Sequence, residues 1–258
     1  MLGNAMRVSV VIPALNDAVM LEQCLTALAA QSRPADEIVV VDNGSTDDTA
    51  DVARRHGARV VEEPLRGIFP ATAAGFDAAT GELLTRLDAD SVPPADWIER
   101  IVWAFDDNAN LDLLSGPGDF YGSSRVVHWL AENLYIGGYI WFVGALLGHA
   151  PLFGSNLALR SSAWRRLRTE VHRELREIHD DLDLAIHIAP DMGVRFDPTL
   201  RVGVSARPFA TFSGFQRRID WAFGTLALNW RERSLLDRRA ERRRLERGES
   251  AQADGALS

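Results

Sequence analysis

Apolar and polar positions fall in blocks whose period changes along the first ninety residues. Val8 to Ile12 is a near-continuous β-branched run, the pattern of a strand buried on both faces, and Pro13 ends it. Leu21, Leu25 and Leu28 then repeat at helical spacing, with Asn16 or Asp17 placed to cap that helix. Ile38 to Val41 is a second buried strand, which stops at the turn-and-cap cluster Asp42-Asn43-Gly44-Ser45-Thr46-Asp47. Thr49 to His56 reads as a helix closed by Gly57, and Arg59 to Glu62 as a short strand. Ala71 to Ala79 is a small-residue helix ended by Gly81. Glu82 to Leu87 is a fourth strand, running straight into Asp88-Ala89-Asp90. The order βαβαβαβ predicts a mainly parallel open sheet with right-handed crossovers and helices on both faces, an α/β fold.

The second half is less regular. The pattern predicts a helix over Trp97 to Phe105, a strand over Leu111 to Ser115 and a loop over Gly116 to Gly122. An apolar, mostly helical stretch follows over Val126 to Leu147. Leu157 to Arg160 fits a strand, Ala163 to Leu167 the start of a helix and Asp180 to Ile188 another. Arg217 to Arg247 fits one long helix or two. Residues 1–6 read as an extension, 7–230 as one domain, 231–247 as a basic helix and 248–258 as a small-residue, polar tail expected to be disordered.

Composition changes this picture in two ways. The single cysteine, Cys24, excludes an internal disulfide and a cysteine-based zinc cluster, and its place in an apolar helical pattern marks it as a buried structural thiol. The net charge of -8 is unevenly spread. Arg231 to Arg247 carries eight Arg against four acids, so the rest of the chain is more acidic still. An acidic body argues against nucleic acid as a partner and suits a divalent metal. No secretory leader precedes the first strand, which favours a cytoplasmic location.

The candidate chemistry lies where strands end. Asp88 and Asp90 stand one residue apart at the carboxyl end of an apolar strand, the edge at which open α/β sheets bind ligands. Their like charges call for a cation between them and a second anion, a need that a diphosphate with Mg²⁺ or Mn²⁺ meets. The loops Pro13-Ala14-Leu15-Asn16-Asp17 and Asp42 to Asp47 open onto the same edge. Helix capping accounts for Asp17 or Asp47 singly. It does not account for three successive strands ending in acid-bearing loops on one rim, where a nucleoside fits. The chain has no glycine-rich dinucleotide fingerprint and no P-loop in these loops.

The stretches VSVVIPALND, EIVVVDNGSTDDT and ATGELLTRLDAD, in this order and spacing, resemble the family 2 glycosyltransferases of the GT-A fold. The resemblance implies a Rossmann-like nucleotide-sugar half (7–105), an acceptor half (106–230) and a nucleoside-diphosphate sugar donor linked to UDP or GDP. It places Pro13, Asn16, Asp17, Asp42, Arg66, Gly67, Asp88, Ala89 and Asp90 on the donor, with Asp90 as the main metal ligand and Asp88 beside ribose and metal. Thr72 and Ala73 stand where family members carry an Arg and an Asn. Further on, FGSNLALR resembles an acceptor-side loop, which puts Gly154, Ser155 and Asn156 near the acceptor. HDDLDL resembles the segment that bears the catalytic base, which places Asp181 as the base and Asp180 on the acceptor side; Asp180 is the competing base. A helix N-terminus suits such a carboxylate because the dipole favours its ionised form. The expected reaction is inverting transfer of a sugar to a glycan, lipid-linked or small-molecule acceptor. Two rivals remain: a catalytically inactive relative acting as a binding module, and a nucleotidyltransferase making sugar nucleotides. Arg217 or Arg218 is a further candidate for the diphosphate. None of the histidines shows metal-ligand spacing in the sequence.

Ile136 to Leu147 is too short to span a bilayer, which takes about twenty residues. With the basic Arg231 to Arg247 stretch, it makes peripheral contact with an anionic membrane, at its inner face, an expectation.

Overall fold

A computed structural model describes residues 6–121, 137–207 and 212–255. The first part of the expected apolar helix, 126–136, lies outside them. The strands are β1 (Val8–Ala14), β2 (Glu37–Asp42), β3 (Arg59–Glu62), β4 (Leu83–Arg86), β5 (Leu111–Ser115), β6 (Gly118–Tyr121), β7 (Leu157–Arg160), β8 (Gly193–Phe196) and β9 (Val202–Ser205). Seven of them form one sheet in the order β3-β2-β1-β4-β7-β5-β8. β3, β2, β1 and β4 run parallel, β7 runs antiparallel to both β4 and β5, and β8 is parallel to β5. A parallel pair, β6 and β9, stands apart. The expected Gly116–Gly122 loop is therefore half strand, because β6 finds its partner some eighty residues downstream.

The helices are α1 (Ala18–Ala29), α2 (Thr49–Arg55), α3 (Ile68–Ala78), α4 (Trp97–Asp107), α5 (Gly137–Leu147), α6 (Ser161–Leu167), α7 (Asp180–His187), α8 (Phe212–Glu232) and α9 (Leu235–Gly255). Apolar side chains on the two faces of the sheet build two cores. Val8, Val10 and Ile12 of β1 point to one, with Leu21, Cys24, Leu25 and Leu28 of α1 and Trp97, Ile98, Ile101 and Phe105 of α4. Val11, Val39 and Val41 point to the other, with Phe69 and Phe76 of α3 and Trp164 of α6. The period-two alternation of a strand buried on both faces sorts these residues. α3 lies close on the sheet: a Cβ on Gly75 would come 2.3 Å from Val11 Cγ1, so only glycine fits there. Cys24 is wholly buried, and burial pushes its thiol pKa well up, with Asp90 and Asp88 adding to it. It is the structural thiol the sequence indicates.

Arg217 to Arg247 resolves into two helices. The second runs on to Gly255, past the point where the tail was expected to loosen. Its arginines are not all on the surface. Leu235 and Arg242 are buried, Arg242 donates to the carbonyls of Met192 and Ala189, and Arg238 donates to that of Ile186. The basic stretch is thus partly a packing element. Among the described residues no helix is long and apolar enough to cross a membrane.

Candidate active site

The parallel strands β1, β2 and β4 all end on one rim of the sheet, and antiparallel β7 begins there, so four loops converge. The loops after β1 and β2 are stitched together. Asn16, in a left-handed conformation at φ 53°, accepts at Oδ1 from Thr46 N–H (2.7 Å) and donates its own N–H to Ser45 Oγ (3.0 Å). Asp47, not Asp17, serves the start of α1, since its Oδ2 accepts from Ala18 N–H at 3.2 Å. The Asp17 side chain makes no capping bond. Asp42 Oδ1 accepts from Ser45 N–H, shaping its own turn. Buried Asn43, not singled out in the sequence reading, ties its own loop to the segment after β3. Its Nδ2 donates to the carbonyls of Glu63 and Leu65, and its Oδ1 accepts from Gly67 N–H. Gly67 has φ 149°, which favours glycine, and Arg66 reaches back to the Gly44 carbonyl at 2.8 Å. Pro13 lies at the end of β1, and Ala89 is buried between the two aspartates.

Asp88 has both carboxylate oxygens engaged. Oδ1 accepts from Arg86 at 2.9 Å and Oδ2 from Ser155 Oγ at 2.5 Å. Asp90 Oδ2 accepts from Arg207 at 3.1 Å, and Tyr121 Oη donates to the Asp90 carbonyl. Burial raises the Asp90 pKa to about 6, with the charge of Asp88 adding to it against the opposing Arg207. This crowding of hard oxygen donors fits a divalent cation, and Asp90 is the carboxylate whose oxygens are less taken up by the protein.

The 3₁₀ turn Gly154–Asn156 links the acidic cluster to α7. Gly154 N–H donates to Asp181 Oδ2 at 3.1 Å, while its neighbour Ser155 holds Asp88. Asp181 Oδ1 also accepts from Leu182 N–H at 2.8 Å and lies 3.4 Å from His179 Nδ1. Burial pushes its pKa up, but the His179 hydrogen bond, the His179 and Arg86 charges and the Gly154 N–H together hold it below the usual carboxylate value.

Asp180 is placed differently from its expected acceptor role. It is buried, and its Oδ2 accepts from Arg86 at 2.5 Å and from Thr72 Oγ1 at 3.4 Å. That geometry suits a counter-charge to Arg86, and burial raises its pKa despite Arg86. Asn156 also turns inward: it accepts from Trp97 Nε1 and donates to the Leu200 and Pro117 carbonyls. It braces the turn, in which Gly154 and Ser155 are buried as well.

The structure also brings His172, Asp183 and His187 together, their ligand atoms all within 4.8 Å of one another, a grouping the sequence spacing hides. Those atoms are already engaged. His172 Nδ1 lies 2.8 Å from Asp183 Oδ1 and its Nε2 lies 2.9 Å from Glu232 Oε1, while His187 Nδ1 meets the Asp183 carbonyl. Asn229 of α8 donates to Asp183 as well. Burial lowers the His172 pKa, but bonds to Asp183 and Glu232 raise it further, so the group clamps α7 to α8. The side chains of Arg217 and Arg218 lie outside the described residues. Arg86 and Arg207, which sequence reasoning missed, are the cations at the acidic rim. Arg86 could have been found as a charge inside the apolar run Leu83 to Leu87, since a buried charge needs a partner.

Comparison with known proteins bears on the family and the fold. A 44% identical match over 116 residues, 45% of this chain and 50% of the relative, is an uncharacterized glycosyltransferase of Mycobacterium tuberculosis. The glycosyltransferase AglE of Haloferax volcanii is 34% identical over 121 residues, 44% of this chain and 40% of its own. The chain thus spans half or less of the length of these curated relatives. In fold it resembles M. tuberculosis glucosyl-3-phosphoglycerate synthase, with a TM-score of 0.63 at 22% identity over 87% of this chain and 80% of the other. A structure of that synthase contains Mn²⁺, UDP-glucose and phosphoglyceric acid, and matches with a TM-score of 0.62 at 21% identity over 87% and 79%. The model of the family described as glycosyl transferase family 2 matches residues 9–174, more than half of the sequence, and the chain belongs to that family.

Proposed function

We propose that this chain transfers a sugar from a UDP- or GDP-linked donor to an acceptor hydroxyl, with inversion at the anomeric carbon and with Mn²⁺ or Mg²⁺. One observation carries the reading. The dipeptide Gly154-Ser155 bonds Asp181 on one side and Asp88 on the other, so one buried turn holds a carboxylate of α7 close to the acidic rim. Asp17 and Asp42 take the nucleoside end, with Pro13, Asn16, Arg66 and Gly67 framing it. Asp90, backed by Asp88, holds the metal, which when bound neutralises the charge developing on the departing nucleoside diphosphate. Asp181 accepts the proton of the acceptor hydroxyl as that oxygen bonds to the anomeric carbon and the bond to the diphosphate breaks. Gly154 and Ser155 border the acceptor.

Isothermal titration of UDP and GDP tests this. One of the two should bind well only with Mn²⁺ at pH 7.5. Because the Asp90 pKa lies near 6, its carboxylate gains a proton below that value, and metal-dependent affinity should fall about tenfold per pH unit under pH 6. In Asp90→Asn the metal dependence should vanish. Binding that ignores Mn²⁺ at every pH would reject the metal site, and no binding of either nucleotide would favour an inactive relative.

Peripheral contact with the inner face of an anionic membrane is a second reading. It rests on exposed Phe223, Trp230 and Leu236 near exposed Arg231, Arg243, Arg244 and Arg247. The chain should co-sediment with phosphatidylglycerol vesicles at low salt and be released at high salt. A chain that stays in the supernatant at low salt has no such surface.

A further inference from the structure

Arg207 sits just beyond β9 with its side chain 52% exposed, next to the acidic rim. Its Nη2 donates to Asp17 Oδ1 at 2.8 Å and to Asp90 Oδ2 at 3.1 Å, while its backbone N–H is anchored on Ser205 Oγ. These carboxylates lie in the loops that follow different strands, β1 and β4, and among the described residues no other cation bonds either of them. One guanidinium therefore stands where the donor-site reading puts the metal and the nucleoside.

We infer that Arg207 is a tethered counter-ion: it bridges Asp17 and Asp90 while the donor is absent, gives up Asp90 to the metal, and then pairs with the donor diphosphate. The inference rests on that donor-site reading. Asp17, Asp88 and Asp90 crowd negative charge at one rim, and without a cation they repel. A divalent ion that takes Asp90 Oδ2 removes the acceptor that Arg207 uses, and two cations on one carboxylate repel each other. The freed guanidinium has a flexible stem and an exposed position, so it moves without disturbing the core. The nearest new anion is the diphosphate on the same metal, whose oxygens match the guanidinium fork.

The test compares wild type, Arg207→Gln and Arg207→Lys. Mn²⁺ alone is titrated by electron paramagnetic resonance, and UDP with Mn²⁺ by calorimetry. Arg207→Gln should bind Mn²⁺ alone about tenfold more tightly, because the internal competitor is gone, and UDP with Mn²⁺ about tenfold more weakly. Arg207→Lys, which keeps the charge, should fall between Gln and wild type in both. Unchanged or weaker Mn²⁺ binding in Arg207→Gln overturns the counter-ion, and unchanged UDP affinity overturns its move to the diphosphate. Failure of the wild type itself to bind Mn²⁺ or UDP overturns the donor-site reading and this inference with it.

Discussion

Replacing Asp181 by Asn should lower sugar transfer about 10²- to 10⁴-fold and leave UDP and Mn²⁺ affinity nearly unchanged. The change is close to isosteric, and the remaining side-chain oxygen can still accept from Gly154 N–H, so the turn that carries Ser155 stays in place. What is lost is the negative charge that takes the acceptor proton. Burial alone would keep the Asp181 carboxyl protonated, but His179, Arg86 and the Gly154 N–H hold its pKa below the ordinary value. Asp181 is therefore ionised throughout the neutral range before the acceptor arrives. A fall in kcat/KM on the acid side at subsaturating Mn²⁺ should then follow the protonation of metal-free Asp90 near pH 6 rather than that of Asp181. Steady-state kcat with a competent acceptor, measured against nucleotide affinity in the same variant, is the check. Asp180→Asn is the matched control, because Asp180 is buried against Arg86 and should lose stability before rate. Wild-type turnover in Asp181→Asn with loss in Asp180→Asn would move the base by one residue; wild-type turnover in both would place it elsewhere.

The first half of the fold was legible because its determinants are local. β1, β2 and β4 are mostly apolar runs, each loop that follows carries its own polar signature, and a parallel sheet puts those loops on one rim. Distance along the chain hid the rest. β6 read as a loop because Gly118 pairs with Val202, and a short strand with a glycine at its head carries too little pattern to announce a remote partner. The expected capping by Asn16 or Asp17 gave way to Asp47, a residue on the neighbouring loop. Asp180 and Asp181 differ by one position in the sequence, yet one is a buried counter-charge and the other a part-exposed carboxylate held by the Gly154 N–H. Only the direction of each side chain from the first turn of α7 separates them. Arg207 reaches Asp17 across 190 residues. Ion pairs of that kind follow from tertiary packing, which periodicity does not encode.

Arg86→Met should destabilise the protein by about 3–5 kcal/mol, because it strips the partner from a buried carboxylate. Arg86 is buried at the end of β4; its Nη1 holds Asp180 at 2.5 Å and its Nη2 holds Asp88 at 2.9 Å. Gly154 makes room for it, since a Cβ there would lie 2.4 Å from Nη1. Asp88 is near solvent and can shed its charge partner into water, whereas Asp180 cannot. For a chain of this size the loss corresponds to a fall in Tm of about 10 °C. The size of the loss should depend on pH in a known direction. Burial already raises the Asp180 pKa with Arg86 present, and removing that positive charge raises it further. At low pH Asp180 is then neutral in the variant and the missing partner costs little; as pH rises the carboxyl must either ionise unpaired or hold its proton against solvent, and the deficit grows. Asp180→Asn in the Arg86→Met background removes the orphaned charge and should restore most of the lost Tm at neutral pH. The double-mutant cycle then gives a coupling energy well above what an exposed pair supplies. A single Arg86→Met variant that melts with the wild type, or a double variant no more stable than the single one, would mean that Arg86 does not hold Asp180. The link from β4 through Asp180 to the first turn of α7 would then need another explanation.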